Sequence, residues 1–274
     1  MWGPMSDRMF KRIFGEEKEI LIELLNLIIA PNHPIVELTY FQPELLPELE
    51  HDKLTIVDVR CKDDLGRNFI VEMQLVPNAH FLKRVYYNAI RIYGNQLKKG
   101  DDFGELKIVY AISFVNNNII RDETEWFHTF EHLRNGKSEA DFKAVKMIIL
   151  EVQKFMKCSK FDINNRLHQW MRFFAEPDYF KHLPMELKSN YPNLRKAAII
   201  LDESKLTPGQ QYTYDVYMDH IRCRNTEVMD SFRQGLKLSI PILKELQQGV
   251  LSHKEIAEKY SISVDEVKMI AEEI

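Results

Sequence analysis

Asp58, Glu72 and Gln74 are the residues of this 274-residue chain whose types and spacing best suit chemistry. They lie in Leu54–Val76, LTIVDVRCKDDLGRNFIVEMQLV, where two apolar, β-branched runs flank a polar turn containing Gly66. That pattern predicts a β-hairpin. Alternation puts Leu54, Ile56, Asp58 and Arg60 on one face of the first strand. On the second strand it groups Asn68, Ile70, Glu72 and Gln74 against Phe69, Val71, Met73 and Leu75. Pairing Lys62 with Asn68 sets Asp58 directly across from Glu72, and a slip by two keeps all three polar groups on one face. Cβ atoms so paired are ~4.5–5.5 Å apart. Two carboxylates that close repel unless a proton or a cation lies between them. Hard oxygen ligands suit Mg²⁺, or Mn²⁺ in its place. Such an ion lowers the pKa of a bound water and steadies charge developing on a phosphate, with the third polar group orienting water or leaving oxygen. The alternative is a solvent-facing strand pair carrying ordinary polar residues; the apolar setting of the acids argues against it.

Several elements must hold that hairpin in place. Met9 to Ala30 carries an apolar stripe at helical spacing, with Ser6 or Asp7 able to cap its start and Pro31 ending it. Pro34 to Phe41 reads as a short strand, and QPELLPELEHD as a Pro-punctuated loop. After Pro77 a helix is predicted from about His80 to Lys98, burying Leu82, Val85, Ala89, Tyr93 and Leu97. Leu106 to Val115 is a continuous apolar run that suits a strand buried on both faces. The order helix, three strands, helix, strand describes an α/β protein with helices packed on a mixed sheet. Further on, Glu125–Leu133 and Ala144–Phe155 read as strands of a second hairpin, and Asn164–Phe174 as an amphipathic helix. Leu206–Gln211 reads as a loop, and from Asn225 the chain is helical in character, broken at Gly235, Pro241 and Gly249.

Composition sets bounds. Hydrophobic content of 45% and charged content of 28% fit a soluble globular protein. A net charge of −4 excludes a global polyanion-binding character, so contact with nucleic acid must be local. Cys61, Cys158 and Cys223 are few and scattered, which fits a reducing compartment. The run Ile20–Ala30 is too short to span a membrane, so the reading is cytoplasmic, with no membrane partner.

This order of elements, with Asp on the second strand and Glu-x-Gln on the third, resembles the PD-(D/E)XK nuclease superfamily. More narrowly, residues 7 to about 120 resemble the Rpn family of recombination-promoting nucleases, also described as transposases. DRMFKRIFG (Asp7–Gly15), the Pro-Glu-Leu loop (Pro43–Leu45), IVDVRCKDDLGRNFIVEMQ (Ile56–Gln74) and KRVYYNAIRIYGNQLKKG (Lys83–Gly100) carry the likeness. It implies a restriction-endonuclease-like domain over 1–220, with a catalytic core at about 7–120, followed by a helical tail over 225–274. It implies a Mg²⁺-dependent endonuclease acting on DNA, with Asp58 and Glu72 as metal ligands. Gln74 stands where most members have lysine, and Val57 where the name has proline. Gln is neutral and cannot supply a lysine's cation. Asp7 is the candidate auxiliary acid, with Glu17 as fallback; Asp7 as a helix cap is the competing reading. Lys11 either replaces the missing cation or is an ordinary solvated lysine. The competing function is a non-catalytic DNA-binding or assembly protein that keeps the nuclease fold.

Between His80 and Gly100 lie Lys83, Arg84, Arg91, Lys98 and Lys99, and no acids. Spacing puts Lys83, Tyr87, Arg91 and Lys98 on one helix face able to track phosphates, or simply to be solvated. The end, SHKEIAEKYSISVDEVKMIAEEI, has the form of a helix–turn–helix. Residues 244–274 hold four lysines against seven acids, so homo-oligomerisation or docking fits better than DNA reading. His128, Glu131 and His132 match an inverted zinc-protease motif, but the segment reads as a strand, which does not bring the three together.

Overall fold

The turn Asp63–Arg67 sets the central register. In the computed structural model the described residues are 4–45, 55–75, 77–121, 123–134, 137–138, 143–158, 161–184, 188–203, 216, 235, 237, 239–249 and 251–271. Gly66 takes φ 82°, a left-handed conformation that glycine adopts without a Cβ clash. The buried Asp63 carboxylate accepts the Arg67 backbone N–H at 2.8 Å and its side-chain Nε–H at 2.5 Å. Val59 then lies opposite Val71 and Lys62 opposite Asn68, the register expected from the sequence, with Asp58 just before its first pair.

The strands are β1 (Leu38–Phe41), β2 (Glu44–Leu45), β3 (Thr55–Ile56), β4 (Val59–Asp63), β5 (Asn68–Gln74), β6 (Val109–Val115), β7 (Phe127–Phe130), β8 (Leu133–Arg134), β9 (Lys137–Ser138) and β10 (Val145–Glu151). Six of them form a mixed sheet in the order β1-β4-β5-β6-β10-β7, while β2–β3 and β8–β9 pair separately. β6 runs parallel to both β5 and β10, and the other contacts are antiparallel. As its apolar run predicts, β6 is central and buried on both faces.

One face of the sheet presents Phe69, Val71, Ile112, Phe114 and Leu150 to a core that includes Phe10 and Phe14 near the N-terminus. That core continues into helix α2 (Lys18–Ile29) through Leu21 and Leu24, and into the later helix Arg166–Ala175 through Trp170 and Phe174. The other face presents Ile70, Ala111 and Ile149 to α3 (Phe81–Gly94), which contributes Phe81, Val85, Ala89 and Ile92. Fully burying one such side chain contributes about 1.5–3 kcal/mol, so the alternation fixes which face of β5 holds Glu72.

Several expectations need correction. The predicted helix Met9–Ala30 is divided into α1 (Asp7–Phe10), a π-helical turn Lys11–Gly15, and α2. The Tyr40 hydroxyl donates to the Phe14 carbonyl at 2.8 Å, satisfying an oxygen at the interruption. The first hairpin strand is broken at Val57–Asp58: Val57 N–H donates to the Pro43 carbonyl at 3.1 Å, and β3 pairs with β2 instead. The helix after Pro77 ends at Gly94, so Lys98 lies beyond it. The strand expected over Ala144–Phe155 stops at Glu151 and passes directly into α4 (Val152–Lys157), where Val152 and Phe155 enter the core at helical spacing. Among the described residues no helix is long and apolar enough to cross a membrane. Leu54, Val76, the loop Leu206–Gln211 and Cys223 lie outside the described residues.

The chain divides into two compact units, Met1–Lys205 and Leu206–Ile274. In the second, Ile242, Ile256, Ala257 and Val267 form a small core. Its helices His253–Tyr260 and Val264–Ala271 flank a turn in which Ser261 takes φ 55°.

Candidate metal and nucleic-acid site

Asp58 occupies the break between β3 and β4. Its Oδ2 accepts the Met73 backbone N–H at 2.7 Å, a donor on β5 that a continuous strand would otherwise bind. This side chain therefore replaces a ladder bond and is 18% exposed. Asp7, the first residue of α1, lies close enough for its charge to act on Asp58. Lys11, one turn further on, approaches Asp7 Oδ1 at 2.9 Å and Asp58 Oδ1 at 3.8 Å. The π turn that starts at Lys11 belongs to a class of helix irregularity frequent at functional sites.

Glu72 is buried on β5, facing α3. Asn88 donates from Nδ2 to Glu72 Oε1 at 3.3 Å. Arg84, one turn earlier on α3, places Nη2 2.8 Å from Gln74 Oε1 and 3.8 Å from Glu72 Oε2. Two cations therefore flank the acids: Lys11 on the Asp7–Asp58 side and Arg84 on the Glu72–Gln74 side.

Burial dominates the electrostatics. It pushes the Asp58 carboxyl up to about 7, against the Met73 N–H and helped by the charges of Asp7 and Glu72. Burial likewise raises Glu72 above the usual carboxylate range, opposed by Arg84 and Asn88. Both acids are thus held where a positive ion would stabilise their charged forms.

Among the described residues no three His, Cys, Asp or Glu side chains converge into a closed metal site. Asp58 and Glu72 would supply two hard oxygens and leave the other positions to water and phosphate, the coordination Mg²⁺ favours. Asn88 Oδ1 and the Oγ of Ser113, which pairs with Glu72 across β6, are buried without a hydrogen-bond partner. Orphaned oxygens beside a buried carboxylate fit a hydrated cation. The residues present therefore fit the group.

The other sequence candidates are dispersed. Glu17 pairs with Lys196 at 2.5 Å rather than with the acids. Lys83 is exposed on α3, and Arg91 stacks over the Tyr87 ring at 5.7 Å on the same helix. Lys98 lies past the helix end, where its N–H donates to Asp101 at 2.7 Å. His128, Glu131 and His132 engage Glu151, Lys146 and Tyr86 respectively, so they do not form one site. Asn88 was not singled out in the sequence. Its signal is a polar residue three positions after Val85, inside an apolar helical stripe.

A family model described as PD-(D/E)XK nuclease family transposase matches residues 4–229. No curated protein and no solved structure matches the chain. The mixed six-stranded sheet flanked by helices is the restriction-endonuclease-like α/β arrangement expected from the sequence.

Proposed function

The chain belongs to the PD-(D/E)XK nuclease family of transposases, and from that membership we propose that it is a divalent-metal-dependent endonuclease hydrolysing DNA phosphodiester bonds. The observation that carries the reading is the pair Asp58 and Glu72, two desolvated carboxyl groups where the start of β4 lies beside the end of β5. Asp58 and Glu72 hold Mg²⁺ or Mn²⁺, which when bound makes a water more acidic and offsets phosphate charge. Asp7 is the auxiliary acid, set beside Asp58 and paired with Lys11 at 2.9 Å, where its carboxylate would orient water. Gln74 positions water or a phosphate oxygen.

In the hydrolysis, a water oxygen bonds to phosphorus and the ester P–O bond breaks. The water gives one proton to solvent, and the departing oxygen takes one up. Lys83 and Arg91 on the outer side of α3, with Lys98 beyond it, contact the DNA backbone. Lys11 adds positive charge on the Asp58 side. The narrower likeness to recombination-promoting nucleases supports a role with mobile DNA, and DNA as substrate supports the cytoplasm.

Plasmid cleavage with Mg²⁺, Mn²⁺ or EDTA, comparing wild type with Asp58→Ala, tests the reading. Cleavage is expected with either ion and lost with EDTA or the substitution. Cleavage surviving either one overturns the mechanism. A folded wild type that binds DNA without cutting it leaves the binding protein as the function.

A further inference from the structure

We propose that Arg84 is the catalytic cation of this site, reaching from α3 to the position where the PD-(D/E)XK motif carries lysine and this chain carries Gln74. The inference rests on the nuclease reading above. Gln74 is neutral, so a site built from Asp58, Glu72 and Gln74 alone has no positive charge of its own to meet a phosphate. Arg84 meets both motif residues of β5: its Nη2 lies 2.8 Å from Gln74 Oε1 and 3.8 Å from Glu72 Oε2. The Phe81 ring lies 5.4 Å from the guanidinium carbon and restrains the side chain from below. Only a short connection separates Gln74 from the start of α3 at Phe81, so the first turn of the helix is tied to the end of the catalytic strand.

Lys11 does not occupy this position. It approaches Asp7 and Asp58, on the other flank. Arg84 remains 45% exposed while one nitrogen is held, which leaves the rest of its planar fork open to an incoming phosphate. A guanidinium presents paired N–H donors in a geometry that matches two phosphate oxygens. It does not lose its proton in a protein, so it acts as a fixed charge rather than a base. Gln74, accepting from Nη2, aims it. The lysine's charge has in effect moved from the strand to the helix, and Gln74 is the hinge of that exchange rather than a defect.

The exchange is testable by reversing it. Single-turnover cleavage of a plasmid with Mg²⁺ is compared for wild type, Arg84→Ala, Arg84→Lys and the double variant Arg84→Ala with Gln74→Lys, after thermal melts establish that each is folded. Removing one preorganised donor to a developing anion costs about 10²–10³ in rate. Arg84→Ala is expected to lose about that much and Arg84→Lys less. Restoring lysine at position 74 is expected to return at least about tenfold of the loss. Mn²⁺ affinity, read by electron paramagnetic resonance, is expected to stay unchanged or tighten in Arg84→Ala, because a cation beside Glu72 has gone. Affinity for a short DNA duplex in Ca²⁺ is expected to weaken, with the salt slope falling by about one.

Arg84→Ala cleaving within about threefold of wild type, a double variant no faster than Arg84→Ala, or weaker Mn²⁺ binding would each overturn the proposal and leave Arg84 as a clamp on Glu72. A wild type that cuts nothing sinks the nuclease reading instead. The duplex measurement then still decides whether Arg84 meets phosphate: an unchanged affinity and slope overturn it.

Discussion

Asp58 shows how one side chain can serve the fold and the site together. It accepts a strand N–H from Met73 and, through the same carboxyl group, faces Asp7 and Glu72. Its pKa is raised from 3.8 to about 7, burial being the largest cause. The folded state therefore holds its proton more tightly than the unfolded chain does. For a raised acid, stability is highest below the unfolded value and is lost as pH climbs from about 4 through about 7. The interval corresponds to roughly 4 kcal/mol at most. Asp58→Asn retains an oxygen for the Met73 N–H and carries no charge to desolvate. In EDTA at pH 8 the variant is expected to melt higher than wild type, with the gap closing towards pH 4. Adding Mg²⁺ at pH 8 is expected to raise wild type alone, since a bound ion stabilises only the state that binds it. A variant that melts lower at pH 8 would mean the acid is not penalised by burial. The sequence revealed these acids because they interrupt an apolar alternation. It did not reveal Arg84 as a partner of Gln74, because that contact depends on how α3 lies across the sheet.

Elements fix where those residues meet. The β4–β5 register was readable from the polar turn between two apolar runs, and Gly66 sits where that turn needs a left-handed residue. A Cβ there would be strained at φ 82° and only 3.1 Å from Lys107 Cγ. Gly66→Ala is expected to lower stability by about 1 kcal/mol or more in denaturant titration. An unchanged midpoint would show that the turn does not set the register. The break at Val57–Asp58 was not readable, since both residues fit the alternation and only the Pro43 carbonyl and the Met73 N–H favour the bend. The passage from β10 into α4 was hidden for a related reason: short apolar segments satisfy both periods. On α3, Lys83 and Arg91 share the exposed side while Phe81, Val85, Ala89 and Ile92 are buried against the sheet. A phosphate-tracking helix contributes by charge. Arg91→Glu is expected to weaken duplex binding uniformly across sequences and to reduce the salt slope, measured by fluorescence anisotropy between 50 and 200 mM salt. An unchanged slope would reduce that face to ordinary solvated surface.

At the scale of the whole molecule, the second compact unit carries most of the net negative charge, eight Lys and Arg against eleven Asp and Glu. The chain is net −4, and three of the seven acids in residues 244–274 lie at helix starts: Glu255 in one first turn, Asp265 and Glu266 in the other. Ser252 and Glu255 form a reciprocal capping box, and Ser263 and Glu266 bond to each other in the same way. These acids stabilise the helices by meeting free N–H groups and the positive end of each dipole. The same placement puts negative charge at the start of the second helix, the end that a DNA-reading helix would present to a groove. The helix–turn–helix outline was thus readable, and its charge argues for a protein partner. Ile256, Ala257 and Val267 already close a core with Ile242, so the tail is a preformed module rather than a strap awaiting order. The assembly reading of the tail predicts that a second copy of the chain binds there. Deleting residues 236–274 removes the module with its core intact. Duplex affinity is expected to stay within about twofold of the full chain, because the phosphate-neutralising residues all lie earlier. Mass from light scattering is expected to fall from a multiple of 32.5 kDa to that of one truncated chain. A full-length protein already monomeric would refute the assembly role, and a large loss of DNA affinity on truncation would return the tail to the nucleic acid.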